Sequence, residues 1–420
     1  MTDTKMKYPV RALLLAVCTA FGLSAYAEPV TLTVAVFPVM DQVIKADIPA
    51  WKKLHPDVDI KIVSREYADH HSAMTIALAT GASQVDVMAL EMDRMGRFAE
   101  GGGLEDISKP PYNARQYQNK FAGFTFPVAT ANTGELVGFP TDIAPGTLFY
   151  RQDILKKADV KDADLTRSWE SYIESGKKIK AKTGAYLLAH ARDIQRIVIR
   201  ANLKDGEGIF FDKNGKILVE SPRFVKAFEL AKAVRDAKLD AKINSWSNEW
   251  TESFKRGTVA TQMMGAWLGG HLAHTFAPDA KGAWRVDNLP NGAFASWGGT
   301  FYSIPKKSNN KAMAWEFIKF MTLDKTNQLE AFKGQDNFPA LIEAQNDAYF
   351  DQPIEYFGGQ KPRAMWREAA RHIPALDVNK YDPVANEIVG SELDKVLDHG
   401  KDIKAALADA KALIERRAHR

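Results

Sequence analysis

The chain has 420 residues, of which 26% are charged and 10% aromatic, with a formal net charge of +4 at pH 7 and a single cysteine. A near-neutral, interspersed charge balance excludes the electrostatic footprint of a nucleic-acid or anionic-membrane partner. One cysteine excludes a disulfide framework and a thiolate metal cluster, and the length favours two domains over one core.

Residues 1–27 read as a cleavable secretory signal. Lys5, Lys7 and Arg11 form its cationic start and Ala12–Leu23 its apolar run. Ser24-Ala25-Tyr26-Ala27 then offers the small-x-small pattern of a peptidase site, so cleavage is expected after Ala27. The apolar run is shorter than the roughly 18–20 residues that span a bilayer. Cys18 lies inside it and follows the β-branched Val17 rather than a small residue. A free, secreted form is therefore favoured over a lipid anchor at Cys18.

Strand and helix patterns then alternate. Strands are predicted over Thr31–Phe37, Val58–Val63 and Val85–Leu90, and helices over Val39–Leu54, Ser72–Thr80 and a short stretch from Asp93. Such alternation predicts a mostly parallel α/β sheet, whose ligands bind beyond the carboxyl ends of the strands. Phe37–Asp41, Arg65–Tyr67 and Leu90–Arg94 are thus expected to line one crevice. The regularity breaks near Gly138-Phe139-Pro140, before a strand at Thr147–Tyr150. Helices follow over Ser168–Lys180, Asp193–Asn202 and Ser221–Ala237, with a hairpin turning at Asn214-Gly215 between Ile209–Phe211 and Lys216–Val219. Further strands are predicted at Val259–Met264 and Ser296–Ile304, then a helix at Ala312–Met321 and a helical tail. With no low-complexity linker, the chain is expected to cross between two lobes more than once.

The sequence has no Gly-x-Ser-x-Gly elbow, no His-Glu-x-x-His and no phosphate-cradling glycine loop, so no catalytic residue is assigned. Ser175-x-x-Lys178 and Lys182-Thr183-Gly184 echo a serine-enzyme pattern but fall on one helix and its end. His70-His71 and His271-x-x-His274 lack a neighbouring carboxylate cluster and are not assigned to a metal; no cofactor is called for. A polyol receptor wants carboxylates and arginine for paired hydrogen bonds and aromatic planes for stacking. Glu66, Tyr67, Glu91, Asp93, Arg94, Asp142, Trp267 and Trp297 have this composition, and Asp41 lies in the first crevice loop.

Four segments together resemble the extracellular solute-binding proteins of the maltose-binding type (family 1), the receptor subunits of carbohydrate ABC importers. They are Ala77–Gly81 through Asp86-Val87-Met88 to Gly103-Leu104-Glu105-Asp106; Gly138–Asp142 to Leu148–Leu155; Phe254–Gly257 to Met264–Trp267; and Trp297–Gly299 through Ile304-Pro305 to Ala312–Met321. The resemblance implies a two-lobed α/β fold with multiple hinge crossings and a ligand cleft between the lobes. One lobe would hold 28–139 plus 293–340, and the other 140–292 plus 341–420. It implies a monomeric periplasmic protein that closes on a mono- to oligosaccharide and delivers it to membrane permease subunits. Position by position it assigns Asp93-Arg94 and Asp142 to sugar hydroxyls and Trp267 to ring stacking. It places Trp297, Gly298 and Gly299 where backbone nears the ligand. Glu66, Trp246, Trp250, Phe338 and Tyr356 match less closely as cleft residues. Leu90 stands where the prototype has an aromatic, and Pro38–Asp41 lacks its charged pair, so the ligand is not expected to sit as maltose does. A polyol, a phosphorylated or sulfonated sugar, a polyamine, or a secreted glycosidase using Glu91 and Asp93 remain the alternatives.

Overall fold

The computed structural model describes residues 1–2, 30–81, 84–204 and 206–418, so the signal segment and Cys18 lie outside the described residues. Strand β1 (Val30–Val36) is flanked in parallel by β2 (Val58–Ser64) and β3 (Val87–Glu91). Helices α1 (Met40–Leu54) and α2 (Tyr67–Thr80) make the crossovers. The remaining pairings are antiparallel: β7 (Ser296–Ser303) lies between β3 and β4 (Phe139–Arg151). Beyond them, β4 pairs with β5 (Thr261–Gly265) and β6 (Trp284–Asp287). The sheet is therefore mixed, and the expectation of a mostly parallel one holds for its first three strands only.

β4 determines the architecture. Phe139–Pro145 pairs with β7, whereas Gly146–Arg151 pairs with β5 and β6. One strand thus leaves one lobe and enters the other, and β7 returns beside it. A third crossing follows, where Ile143 donates to the carbonyl of Phe338 and Ala340 donates to that of Thr141. Residues 139–140, read from sequence as a break in regularity, begin this strand. Pro140 and Pro145 are accommodated because the register slips at both places, and bulges tolerate a residue without an N–H.

Two apolar cores flank the crossing. Leu32, Val34, Ile44, Trp51, Leu90, Phe301 and Phe317 belong to the first, which continues behind β4 to Trp250, Phe254 and Trp284. Leu148, Tyr172, Ile197, Phe224, Phe228 and Leu393 belong to the second. The predicted hairpin at 209–219 is reduced to isolated bridges, Glu207 with Asp212 and Phe211 with Ile217. Its turn forms as read, with Gly215 at φ 78°. Helix α2 starts at Tyr67 rather than Ser72, so Tyr67 opens a helix instead of ending a loop. Ser175 is buried on the helix Trp169–Thr183, which Gly184 terminates.

Asp47 of α1 is buried, and its Oδ2 has no hydrogen-bond partner among the described residues. Burial, then the negative charges of Asp324 and Glu330, push its carboxyl up to about 7. The folded chain therefore keeps a proton that the unfolded chain releases near pH 4. The contribution of this group to stability is full below about pH 4, falls as pH rises to about 7 and is flat above that. Asp47→Asn, which fixes the neutral form, is expected to remove this slope. Between about pH 5 and 8, the wild type should lose roughly 2–3 kcal/mol more than the variant in urea unfolding; equal losses would show that Asp47 ionises normally in the fold.

Candidate functional site

Two imidazoles tie α2 to β3. His70 Nε2 donates to the carbonyl of Ala89 at 2.7 Å. His71 Nδ1 donates to the carbonyl of Tyr67 at 2.8 Å, while its Nε2 accepts the N–H of Glu91 at 3.1 Å. The second ring therefore works as a neutral group, and burial pushes its pKa down to about 4. These histidines are structural props, and no group of three potential metal ligands occurs among the described residues.

What they prop is the carboxyl of Glu91. Its Oε2 accepts the hydroxyl of Tyr67 at 3.0 Å and the N–H of Asp93 at 2.8 Å. Burial and the adjacent Asp93 raise its pKa. Its Oε1 faces the return strand: a Cβ on Gly298 would stand 3.3 Å from it and 3.7 Å from Nε1 of Trp267. Gly298 and Gly299 have φ of 109° and 134°, which side chains rarely adopt. Glu91, Gly298, Trp267 and Trp297 thereby meet at the crossing. Trp267 Nε1 donates to the carbonyl of Trp297 at 3.1 Å, fixing the indole.

Asp93 links the end of β3 to a helix more than 100 residues away. Its Oδ2 accepts Arg200 Nη2 at 2.9 Å, and the Arg200 guanidinium lies 5.3 Å from the centre of the Trp297 ring. Arg94 lies 6.0 Å from the Tyr67 ring centre. Beside this pair a cavity of about 380 Å³ is lined by Tyr67, Asp93, Arg94, Arg200, Phe210 and Asp382, among others. Asp382 Oδ2 accepts the N–H of Asn379 at 2.7 Å, but its Oδ1 is buried with no partner among the described residues. Burial pushes this carboxyl up to about 7. Asp142, on β4, likewise has a buried, unpartnered Oδ1. Burial raises it to about 6, against the opposing hydrogen bonds from Thr300.

The structure thus brings together Tyr67, Glu91, Asp93, Arg94, Trp267, Trp297 and Gly298, with Gly299 paired to Ile143 and Asp142 paired to Thr300 on the adjoining hinge strands. Trp246 joins them through Trp267, at 5.5 Å between ring centres and 18° between planes. Three expected cleft aromatics are corrected. Trp250 is 0% exposed and donates to Gln262 Oε1. Phe338 is 1% exposed among Phe332, Phe350 and Trp366. Tyr356 is 7% exposed, with its hydroxyl on the carbonyl of Ala277. All three are core residues with no face to offer a ligand. Asp41 pairs with Lys45 on the first turn of α1. Glu66 precedes α2, exposed and without a capping bond. Neither lines the cavity.

Arg200 and Asp382 were not singled out from sequence. The first ends an amphipathic helix, Arg192–Arg200, and the second opens the helix Asp382–His399 with Pro383 behind it. Both patterns are fully explained by helix formation, so only the packing of the two helices exposes their role.

Comparison with known proteins bears on this geometry. The model of the bacterial extracellular solute-binding proteins matches residues 37–328. The chain is 26% identical over 319 residues to the arabinooligosaccharide-binding protein of Bacillus subtilis (strain 168), covering 73% of this chain and 72% of that one. It is 26% identical over 400 residues to the lactose-binding protein of Rhizobium radiobacter, covering 91% of each. A solved extracellular solute-binding protein of family 1 superposes with a TM-score of 0.81 at 24% identity, over 92% of this chain and 99% of that one.

Gly298→Ala would press a methyl group against Glu91 at a φ unsuited to alanine. It is expected to cost roughly 1–3 kcal/mol, read as a lowered melting temperature; an unchanged value would mean that the crossing relaxes freely. The chain, with its two-lobed α/β fold and the strands that cross between its lobes, belongs to the bacterial extracellular solute-binding protein family.

Proposed function

We propose that this protein is a periplasmic receptor that captures a mono- to oligosaccharide between its lobes by hinge closure and hands it to the permease subunits of an ABC importer. The observation that carries this reading is a fixed indole, Trp267, at the crossing, together with carboxyl oxygens of Asp142 on β4 and of Asp382 in the cavity wall that are buried with no partner among the described residues. A carbohydrate meets both demands, because its hydroxyls donate and accept while its C–H faces stack on aromatic rings. Burying an unmatched acceptor costs about 1–3 kcal/mol, so a lobe movement that opens Asp142 or Asp382 to a ligand hydroxyl recovers that cost.

Asp93 and Arg200 come from opposite sides of the cleft, and their ion pair favours the closed arrangement. Closure around a ligand is a recurrent use of such hinges. We place one lobe at 28–139 plus 293–340 and the other at 140–292 plus 341–420. The names of the relatives, arabinooligosaccharide-binding and lactose-binding, support an oligosaccharide. Export fits residues 1–27 as a cleaved signal, and no described helix is long and apolar enough to cross a membrane. Binding and release need no covalent step, and in this reading the protein is a monomeric carrier rather than a glycosidase.

A thermal-shift panel tests the reading, using lactose, an arabinotriose, putrescine and inorganic phosphate. A cognate sugar at ~100 times its Kd stabilises the fold by about 2.7 kcal/mol, and the melting temperature should rise accordingly. Trp267→Ala should remove the shift while leaving the protein folded. A shift with putrescine or phosphate and none with sugars would overturn the assignment.

A further inference from the structure

The arrangement of Trp246 contains more than a second aromatic near the cleft. Trp246 is 61% exposed, whereas the tryptophan beside it, Trp250, is fully buried. Its backbone has φ 72°, a conformation uncommon for any side chain and a marked outlier for a bulky one. Strain of this kind concentrates where segments switch or clamp ligands. The indole packs near-parallel on Trp267, meets Trp250 at 5.2 Å and 48°, and approaches His271 edge-on at 6.2 Å.

The two stacked rings are held very differently. Trp267 is anchored by its Nε1 donation to the Trp297 carbonyl, and its Nε1 edge abuts Gly265 and Gly298. Trp246 sits in the loop before the helix Asn248–Arg256, whose cap is made by Ser247. Its place rests on ring contacts. One ring is therefore a fixed floor and the other a cover with weaker attachment. At 5.5 Å between centres, the pair cannot admit a sugar ring, which needs two van der Waals contacts of about 3.5–4 Å each.

From this geometry we infer that Trp246 is a displaceable cover on the stacking face of Trp267. An entering sugar ring lifts it and is then held between the two indoles. The inference rests on the carbohydrate reading above and deepens it. The site selects a sugar ring with two apolar faces, because each must meet an indole. Its entry is controlled by a residue of the second lobe, close to where the strands cross. Before ligand arrives, the cover keeps the Trp267 face from water, which limits the apolar area exposed by the open form.

Near-ultraviolet and exciton-coupled circular dichroism of the full mature protein tests this without depending on affinity alone. Trp246 couples to both Trp267 and Trp250, so Trp246→Ala should abolish the coupled signal, Trp267→Ala should leave only the contribution of the Trp246–Trp250 pair, and Trp246→Phe should give a weaker signal. Adding lactose or arabinotriose to the wild type should collapse the signal. In stopped-flow titrations Trp246→Ala should raise the association rate a few-fold and the dissociation rate at least tenfold. Trp246→Phe should recover most of the affinity. If a sugar binds while the coupled signal stays intact, or if Trp246→Ala leaves both rates unchanged, the cover does not move and the inference is wrong. If neither sugar binds the wild type although the coupled signal is present, the carbohydrate reading falls first and this inference falls with it.

Discussion

A β-strand can satisfy its backbone only through neighbours on its two edges, and β4 draws those neighbours from two different lobes. Its first half is paired with β7 and its second half with β5 and β6. Neither lobe can therefore be completed without the other's strand entering it. The backbone hydrogen bonds that close the sheets also create the hinge. Bulges at Pro140/Asp142 and Ile143/Pro145 interrupt the ladder of the first half, just before the strand passes to its second set of partners, and a bulged strand bends there. The site collects at the same place because the β3 terminus, the β7 glycines and Asp142 are neighbours in that ladder.

Electrostatics inside the crossing follows from burial. Glu91, Asp142 and Asp382 are each pushed toward the protonated form by the loss of water around them. The only close ion pair bridging the cleft region is Asp93 with Arg200 among the described residues. Carboxyls shifted in this direction hold a proton more readily than exposed ones, and a protonated carboxyl can both donate and accept hydrogen bonds, as a hydroxyl partner requires. Around it the aromatic residues divide by anchoring. Trp250 is locked through Gln262 to Asp193, Trp267 is locked to backbone, and Trp246 rests on their rings.

The network behind Glu91 illustrates how structural and binding roles separate. His70 and His71 are adjacent in sequence, and nothing in that pattern says which groups their rings serve. In the fold each ring is spent on a backbone group of β3 or α2. They hold Glu91 and Tyr67 in register, so the carboxyl arrives at Gly298 oriented. The division between residues that touch the cleft and residues that place them cannot be drawn from composition.

Local pattern by itself determined much of this protein. The period-2 and helical runs located β1, β2, β3, α1 and most later helices to within a few residues, because those elements bury one face against a core. The order of motifs indicated the family, and Asp93, Arg94, Trp267 and the Gly298-Gly299 pair, singled out with it, lie near the strand crossing. Tertiary structure decided the rest. The long reach of β4 through two prolines was hidden, since bulges depend on the partner strand. Trp250, Phe338 and Tyr356 went to the core because an aromatic residue has the same local signature whether it faces a cleft or a neighbour's ring. Arg200 and Asp382 read as ordinary helix ends, and their meeting with Asp93 arises only when segments more than 100 residues apart are packed together. Separation along the chain conceals such contacts, because sequence encodes faces and turns directly but encodes opposite walls of a cleft only through the fold.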